Sequence, residues 1–237
     1  MQKIPLGPVR AITFDMYGTL LDLVASFGAG FEEFLEGRAY SGGADDVIQA
    51  WEATYLHENN VDSLLRRPRT PFETVRRMTL SQLFHKLKIP HTKDDIEQLV
   101  TTKATPNLFP DVKEHLTRIQ SLGKYEMSVL SNGDLESLDR AVNGLGIPVD
   151  RAISAEGAGY YKPHTGVYQH AMKELGLPGE QVLHVAAHAR DIRGARAVGM
   201  AGAYINRYGI PYVDADGSQP DLEVLGLVQL ADQLSEI

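Results

Sequence analysis

The feature that most constrains this chain of 237 residues is the uneven spacing of its short apolar runs. Val9 to Asp15 reads VRAITFD and ends on an acid, and the next comparable run, Tyr125 to Asn132 (YEMSVLSN), begins only after positions 16 to 124 have passed. Arg151 to Glu156, Val182 to Ala187 and Ala201 to Asn206 then follow at close intervals, separated by segments of helical periodicity. Short apolar runs alternating with amphipathic helices are the pattern of βαβ units, so a parallel sheet in an α/β fold of Rossmann-like type is expected. The expected helices are Val112 to Ser121, Leu135 to Leu145 closed by Gly146, Gly166 to Leu175 closed by Gly176, Ile192 to Val198 closed by Gly199, and a terminal helix over Leu222 to Leu234.

A crossover between parallel strands needs little more than one helix, and the stretch 22–106 is far longer. Its pattern is helical at Phe31 to Glu36, Ala44 to His57, Pro71 to Leu87 and Lys93 to Thr102. The expectation is an inserted α-helical cap over 22–106, with residues 1–21 and 107–237 forming the core. Phe27-Gly28-Ala29-Gly30 and Ser41-Gly42-Gly43 read as loops inside the cap, and Thr105 to Pro110 as the return linker.

Composition narrows the function classes. With 43% hydrophobic and 23% charged residues the chain has enough apolar material for a packed core. It has no cysteine, which excludes disulfides, thiolate nucleophiles and Cys-ligated metals and fits a reducing, cytoplasmic setting. Met1 to Pro8 lacks the apolar core of a signal peptide, and no uncharged apolar run reaches about 18 residues. A net charge of −8 speaks against nucleic acid or an anionic membrane as partner. The local basic cluster Arg66-Arg67-Pro68-Arg69 and Arg76-Arg77 is therefore expected to be a solvated cap face or a subunit interface. The expected partner is a small molecule.

In an open parallel sheet, ligands sit at the carboxyl ends of the strands. Those ends carry Asp15, followed by Met16-Tyr17-Gly18-Thr19, then Ser131-Asn132-Gly133, then Lys162 between Tyr160-Tyr161 and Pro163, and finally His188 and Asp191. Each alone has an ordinary explanation as a helix cap, turn or surface lysine. Together they form a set of reactive and hydrogen-bonding groups facing one crevice. A strand-end carboxylate kept ionised by a lysine is a competent nucleophile.

Taken in order, Asp15-Met16-Tyr17-Gly18-Thr19-Leu20, Ser131-Asn132-Gly133, Lys162-Pro163 and the stretch from Ala186-Ala187-His188 to Asp191 resemble the four motifs of the haloacid dehalogenase superfamily. The pattern Asp-x-Tyr-Gly-Thr with Tyr-x-Lys-Pro looks most like its type II L-2-haloacid dehalogenases. The resemblance implies a metal-independent, cofactor-free hydrolase, expected as a homodimer, in which Asp15 displaces the leaving group from C2 of a small carboxylic acid and water splits the aspartyl ester. It further implies that Thr19 and Lys162 fix and polarise Asp15, that Ser131 holds the substrate carboxylate, and that Asp191 orients Lys162 or the water. Tyr17, Asn132, His188, Arg190 and Tyr168 are its expected substrate-binding residues, with Asn132 toward the leaving group and His188 as a polar wall for water.

The sequence departs from the pattern at Ala186, where serine is common, at Arg190, where tryptophan is common, and at Glu52, which follows Trp51 where the family has a halide-binding arginine. Glu52 therefore suggests a cationic electrophile, such as azetidine-2-carboxylate undergoing hydrolytic C–N ring opening, as the alternative substrate. Magnesium-dependent phosphatase chemistry is disfavoured because position 17 is tyrosine rather than aspartate. A non-catalytic binding module is the other alternative, and the intact Asp15, Lys162 and Asp191 set speaks against it.

Overall fold

The structure is a computed structural model that describes residues 5–65, 67–101 and 106–237. Met1 to Ile4, Arg66 and Thr102 to Thr105 lie outside the described residues, and with them the N-terminal reading, one arginine of the basic cluster, the last residue of the fourth cap helix and the start of the return linker. In chain order the elements are β1 (Ala11–Phe14), β2 (Leu21–Asp22), α1 (Leu23–Leu35), α2 (Ala44–Leu64), α3 (Phe72–Leu87), α4 (Lys93–Val100), β3 (Asn107–Leu108), α5 (Val112–Ser121), β4 (Glu126–Ser131), α6 (Leu135–Leu145), β5 (Arg151–Ser154), α7 (Thr165–Leu175), β6 (Val182–Ala186), α8 (Ala189–Arg196), β7 (Ala201–Ile205), β8 (Leu222–Val224) and α9 (Leu227–Glu236). Two compact units result, Met1–Leu20 with Leu108–Ile237, and Leu21–Asn107.

The first unit holds a six-stranded sheet in the order β5-β4-β1-β6-β7-β8, all parallel. β1 is buried along its whole length, as a central parallel strand covered on both faces must be. Its register pairs Phe14 with Val129 of β4 and with Val185 of β6, so Asp15, Leu130 and Ala186 reach the same edge together. One face is closed by a buried cluster that joins Ala11, Leu130 and Val182 of the sheet to Val167, Tyr168 and Ala171 of α7 and Ala195 of α8. Gly146 and Gly176 end α6 and α7 in the left-handed conformation that glycine adopts without strain.

The terminal segment differs from its expected helix. Leu222–Val224 pairs in register with Ala203 to Ile205 as the edge strand β8, and the helix starts at Leu227. The edge of the sheet outcompetes local helical periodicity there, and Asp111 supplies the helix cap from far along the chain, accepting from the Leu227 N–H at 2.8 Å.

The second unit is helical apart from the short ribbon pairing β2 with β3. Phe27-Gly28-Ala29-Gly30, expected as a loop, lies inside α1. Each glycine costs about 1 kcal/mol in a helix, but Phe27, Phe31 and Phe34 fall on one face and are buried, each contributing roughly 2 kcal/mol. Asp22 caps the helix by accepting from the Ala25 N–H. α2 likewise runs past His57 to Leu64. Arg76 corrects the reading of the basic cluster as a solvated face. Its side chain is buried, its guanidinium lies 5.0 Å from the Trp51 ring and 5.1 Å from that of Phe27, and Glu73 sits 3.2 Å away. Among the described residues no helix is long and apolar enough to cross a membrane.

Candidate active site

The carboxyl edge of β1 ends on Asp15, whose backbone N–H donates to Val185 O at 2.9 Å and so extends the ladder to the side chain's own residue. The Asp15 carboxylate is buried and bound on both oxygens. Oδ1 accepts from Lys162 Nζ at 2.7 Å, and Oδ2 accepts from Thr19 Oγ1 at 2.7 Å. Thr19 is itself fixed, because its Oγ1 accepts from the Ala187 N–H at 2.9 Å. The turn after β1 thus returns one helical step later to clamp the residue that began it, which is why the spacing of Asp15 and Thr19 matters.

Lys162 is buried rather than solvated, and its three ammonium protons each have an acceptor: Asp15 Oδ1 at 2.7 Å, Asp191 Oδ2 at 2.7 Å and Leu130 O at 2.8 Å. Burial by itself would lower its pKa, but the charges of Asp15 and Asp191 outweigh that, and it is held above the usual lysine value. Asp191, on the first turn of α8, is held well below the usual carboxylate range: burial opposes this, and Lys162 and His184 overcome it. Tyr168 donates to Asp191 Oδ1 at 2.5 Å, and burial together with the Asp191 charge pushes its hydroxyl well above the usual tyrosine value. The Lys162 nitrogen thus lies between the side chains of Asp15 and Asp191, 2.7 Å from each.

Asn132 is buried at the end of β4, and its Oδ1 accepts from the Lys162 N–H at 2.8 Å. It positions the loop that carries the lysine, a role that spacing does not reveal. Ser131 Oγ accepts from the Gly133 N–H at 3.1 Å, and Ser154 Oγ donates to Gly133 O at 2.6 Å, which fixes the Ser-Asn-Gly turn. Tyr17 lies over that turn: a Cβ on Gly133 would stand 3.4 Å from the Tyr17 hydroxyl. His188 is half-buried with Nδ1 4.0 Å from Asp15 Oδ2. Arg190 is half-buried on α8, close enough for its charge to act on Tyr168. Glu52 belongs to the helical unit, on α2, where the Tyr55 hydroxyl donates to it at 3.5 Å.

Sequence reasoning missed Leu130 O and His184. The signal for the second is a histidine inside the buried apolar run Val182 to Ala186, where a polar ring must find partners. A divalent cation does not fit this donor set. The Lys162 ammonium stands 2.7 Å from Asp15 Oδ1 and from Asp191 Oδ2, where it repels a second cation, and position 17 is a tyrosine rather than a carboxylate. Among the described residues no group of three or more His, Cys, Asp or Glu side chains is arranged to hold a metal.

The sequence profile of haloacid dehalogenase-like hydrolases matches residues 9–199, which carry every residue of this cluster. The chain belongs to that family. Among similar members, haloacetate dehalogenase H-2 of Moraxella sp. (strain B) is 28% identical over 91% of this chain and 93% of its own. (S)-2-haloacid dehalogenase H-109 of Pseudomonas putida is 29% identical over 97% of this chain and 99% of its own. The crystal structure of L-2-haloacid dehalogenase RSc1362 superposes with a TM-score of 0.85 at 25% identity, covering 96% of this hydrolase and 99% of that chain. The haloacid dehalogenase-like fold of this hydrolase is thereby the expected one, with its parallel core.

Proposed function

We propose that this hydrolase cleaves the carbon–halogen bond of small 2-haloacids with Asp15 as nucleophile. The observation that carries the reading is the Asp15 carboxylate, buried at a strand end and held by Lys162 and Thr19 with no second carboxylate beside it at position 17. One Asp15 oxygen attacks C2, the C2–halogen bond breaks and halide leaves, and configuration at C2 inverts. Water then adds to the Asp15 carbonyl carbon, the ester opens, and the 2-hydroxy acid departs as Asp15 is regenerated.

The other residues take roles in this reading that their contacts support in part. Lys162 and Thr19 orient the attacking carboxylate in line with C2. Asp191 and Tyr168 position Lys162. Ser131 and the backbone N–H groups of the turn that Tyr17 covers receive the substrate carboxylate. His188, beside Asp15 Oδ2, takes the proton of the hydrolytic water, and Arg190 supplies positive charge for the departing anion. Residues 22–106 serve as the family's inserted cap by their place in the chain. The relatives' names point to 2-haloacids, and they supply no independent support for ring opening of azetidine-2-carboxylate, which rests on Glu52 alone. We also propose a cytoplasmic homodimer, supported by the cysteine-free composition and by the exposed Leu64, Leu65 and Met78 of the helical unit.

The test compares three substrates. Halide release from (S)-2-chloropropionate, absent with Asp15→Asn, is the expected result. Ring opening of azetidine-2-carboxylate without halide release would transfer the mechanism to a C–N bond. Magnesium-stimulated phosphate release from p-nitrophenyl phosphate, with neither of the others, would overturn it.

A further inference from the structure

We infer that His184 is a positioning residue for the Asp15 site, acting from within the sheet through Asp191. The inference rests on the reading of Asp15 as nucleophile. His184 is the fully buried centre of β6, and the parallel ladder sets it beside Thr13 of β1. Thr13 Oγ1 and His184 Nδ1 are 2.8 Å apart, both buried. On the far side of the ring, Nε2 stands 3.0 Å from Asp191 Oδ1. The carboxylate lies off the axis of an ideal N–H donor, and Nε2 has no aligned hydrogen bond. The contact is therefore an attraction between the ring's Nε2 edge and the carboxylate charge. The Tyr168 ring meets the imidazole edge to face, with centroids 5.6 Å apart.

The groups facing the imidazole are thus Thr13 from β1, Tyr168 from α7 and Asp191 from α8. When the Thr13 hydroxyl donates to Nδ1, the ring proton is on Nε2, on the edge of the ring that faces Asp191. An acidic group is then gripped from two sides: His184 and Tyr168 at Oδ1, Lys162 at Oδ2. Since the ammonium that Asp191 holds also holds Asp15 at 2.7 Å, the rotamer of Asp191 sets where Lys162 sits and hence the line of attack. A buried histidine that only filled space would have no reason to set a nitrogen 3.0 Å from the carboxylate that holds the lysine from the side opposite Asp15. A ring nitrogen buried beside an acid does more than pack.

The test has one readout that needs no turnover and one that does. In wild-type protein labelled at the histidine nitrogens, NMR is expected to show a proton on Nε2 of His184, and a bare Nε2 would overturn the proposal whatever the enzyme's substrate. In kinetics, His184→Phe keeps a planar aromatic ring and removes both nitrogens. Its kcat for halide release from (S)-2-chloropropionate is expected to fall about tenfold or more, as a displaced catalytic geometry would cause, with KM within about twofold, because substrate contacts are untouched. His184→Gln, which keeps a donor toward Asp191, is expected to recover most of the loss. Wild-type kcat in His184→Phe overturns the proposal. If wild type itself releases no halide, it is the 2-haloacid reading that fails, and the NMR result still decides the role of His184.

Discussion

The two units bury charge in different ways. In the sheet unit, Asp15, Lys162 and Asp191 form an unbroken line of 2.7 Å contacts, and each charge is satisfied by groups that arrive at one strand edge. In the helical unit, the buried cation Arg76 lies among the rings of Phe27, Trp51 and Phe72, with Glu73, one helical turn away, 3.2 Å from its guanidinium. The first arrangement couples residues up to 147 positions apart and fixes a reactive oxygen. The second draws on rings of α1, α2 and α3 and adds packing. Long-range pairing of charges at a sheet edge creates chemistry, whereas a cation stacked on rings mainly joins helices.

If the contrast is right, the largest effect belongs to Lys162→Met. It leaves two buried carboxylates facing each other, so unfolding free energy should drop by about 3–5 kcal/mol, measured by urea titration, and kcat should fall by at least about a hundredfold. Stability near wild type would mean that the ammonium is not the keystone of the cluster. Next comes Gly194→Ala on α8. A Cβ there would lie 2.5 Å from the Tyr168 ring and 2.6 Å from its hydroxyl, so Tyr168 must withdraw from Asp191. A kcat loss of roughly tenfold to a hundredfold with little change in secondary structure is expected. An unaltered kcat would show that Tyr168 is not needed to hold Asp191.

The pH dependence of stability reports the charge cluster of the sheet unit. Asp191, lowered well below the usual range once Lys162 and His184 overcome its burial, contributes stability above about pH 4 and loses it as pH falls further. Lys162, raised by Asp15 and Asp191 against its burial, contributes below about pH 10 and loses it as pH rises through its folded value. Melting temperature should therefore hold a plateau between these limits, and Asp191→Asn should soften the acid edge. The smallest effect is expected for Arg76→Ala, about 1–2 kcal/mol from lost ring contacts and stem packing, read as a modest fall in melting temperature. A loss as large as that of Lys162→Met would erase the distinction between the two units.

Much of the site was legible because strand ends are. Asp15, Ser131 and His188 sit where apolar runs stop, and a parallel sheet collects such ends on one edge. What local pattern could not show was who answers whom. Asn132 reaches back to the Lys162 backbone, Leu130 offers only its carbonyl, and Asp111 caps a helix 116 positions away. His184 was hidden by its own surroundings, since an apolar run reads as packing. In the helical unit, Gly28 and Gly30 read as loop because glycine ordinarily breaks helices, and the three phenylalanines buried on one face outweigh that preference. Arg76 read as surface because a charge cluster usually is, and only the rings of other helices, brought in by tertiary packing, make a buried guanidinium tolerable.

The central claim is that an Asp15 oxygen enters the product. A single turnover of (S)-2-chloropropionate by excess enzyme in H2(18)O tests it directly by mass spectrometry. The account predicts unlabelled 2-hydroxypropionate and one heavy oxygen in the peptide that carries Asp15. Labelled 2-hydroxypropionate with an unlabelled Asp15 peptide would show that water attacks carbon directly and would contradict it.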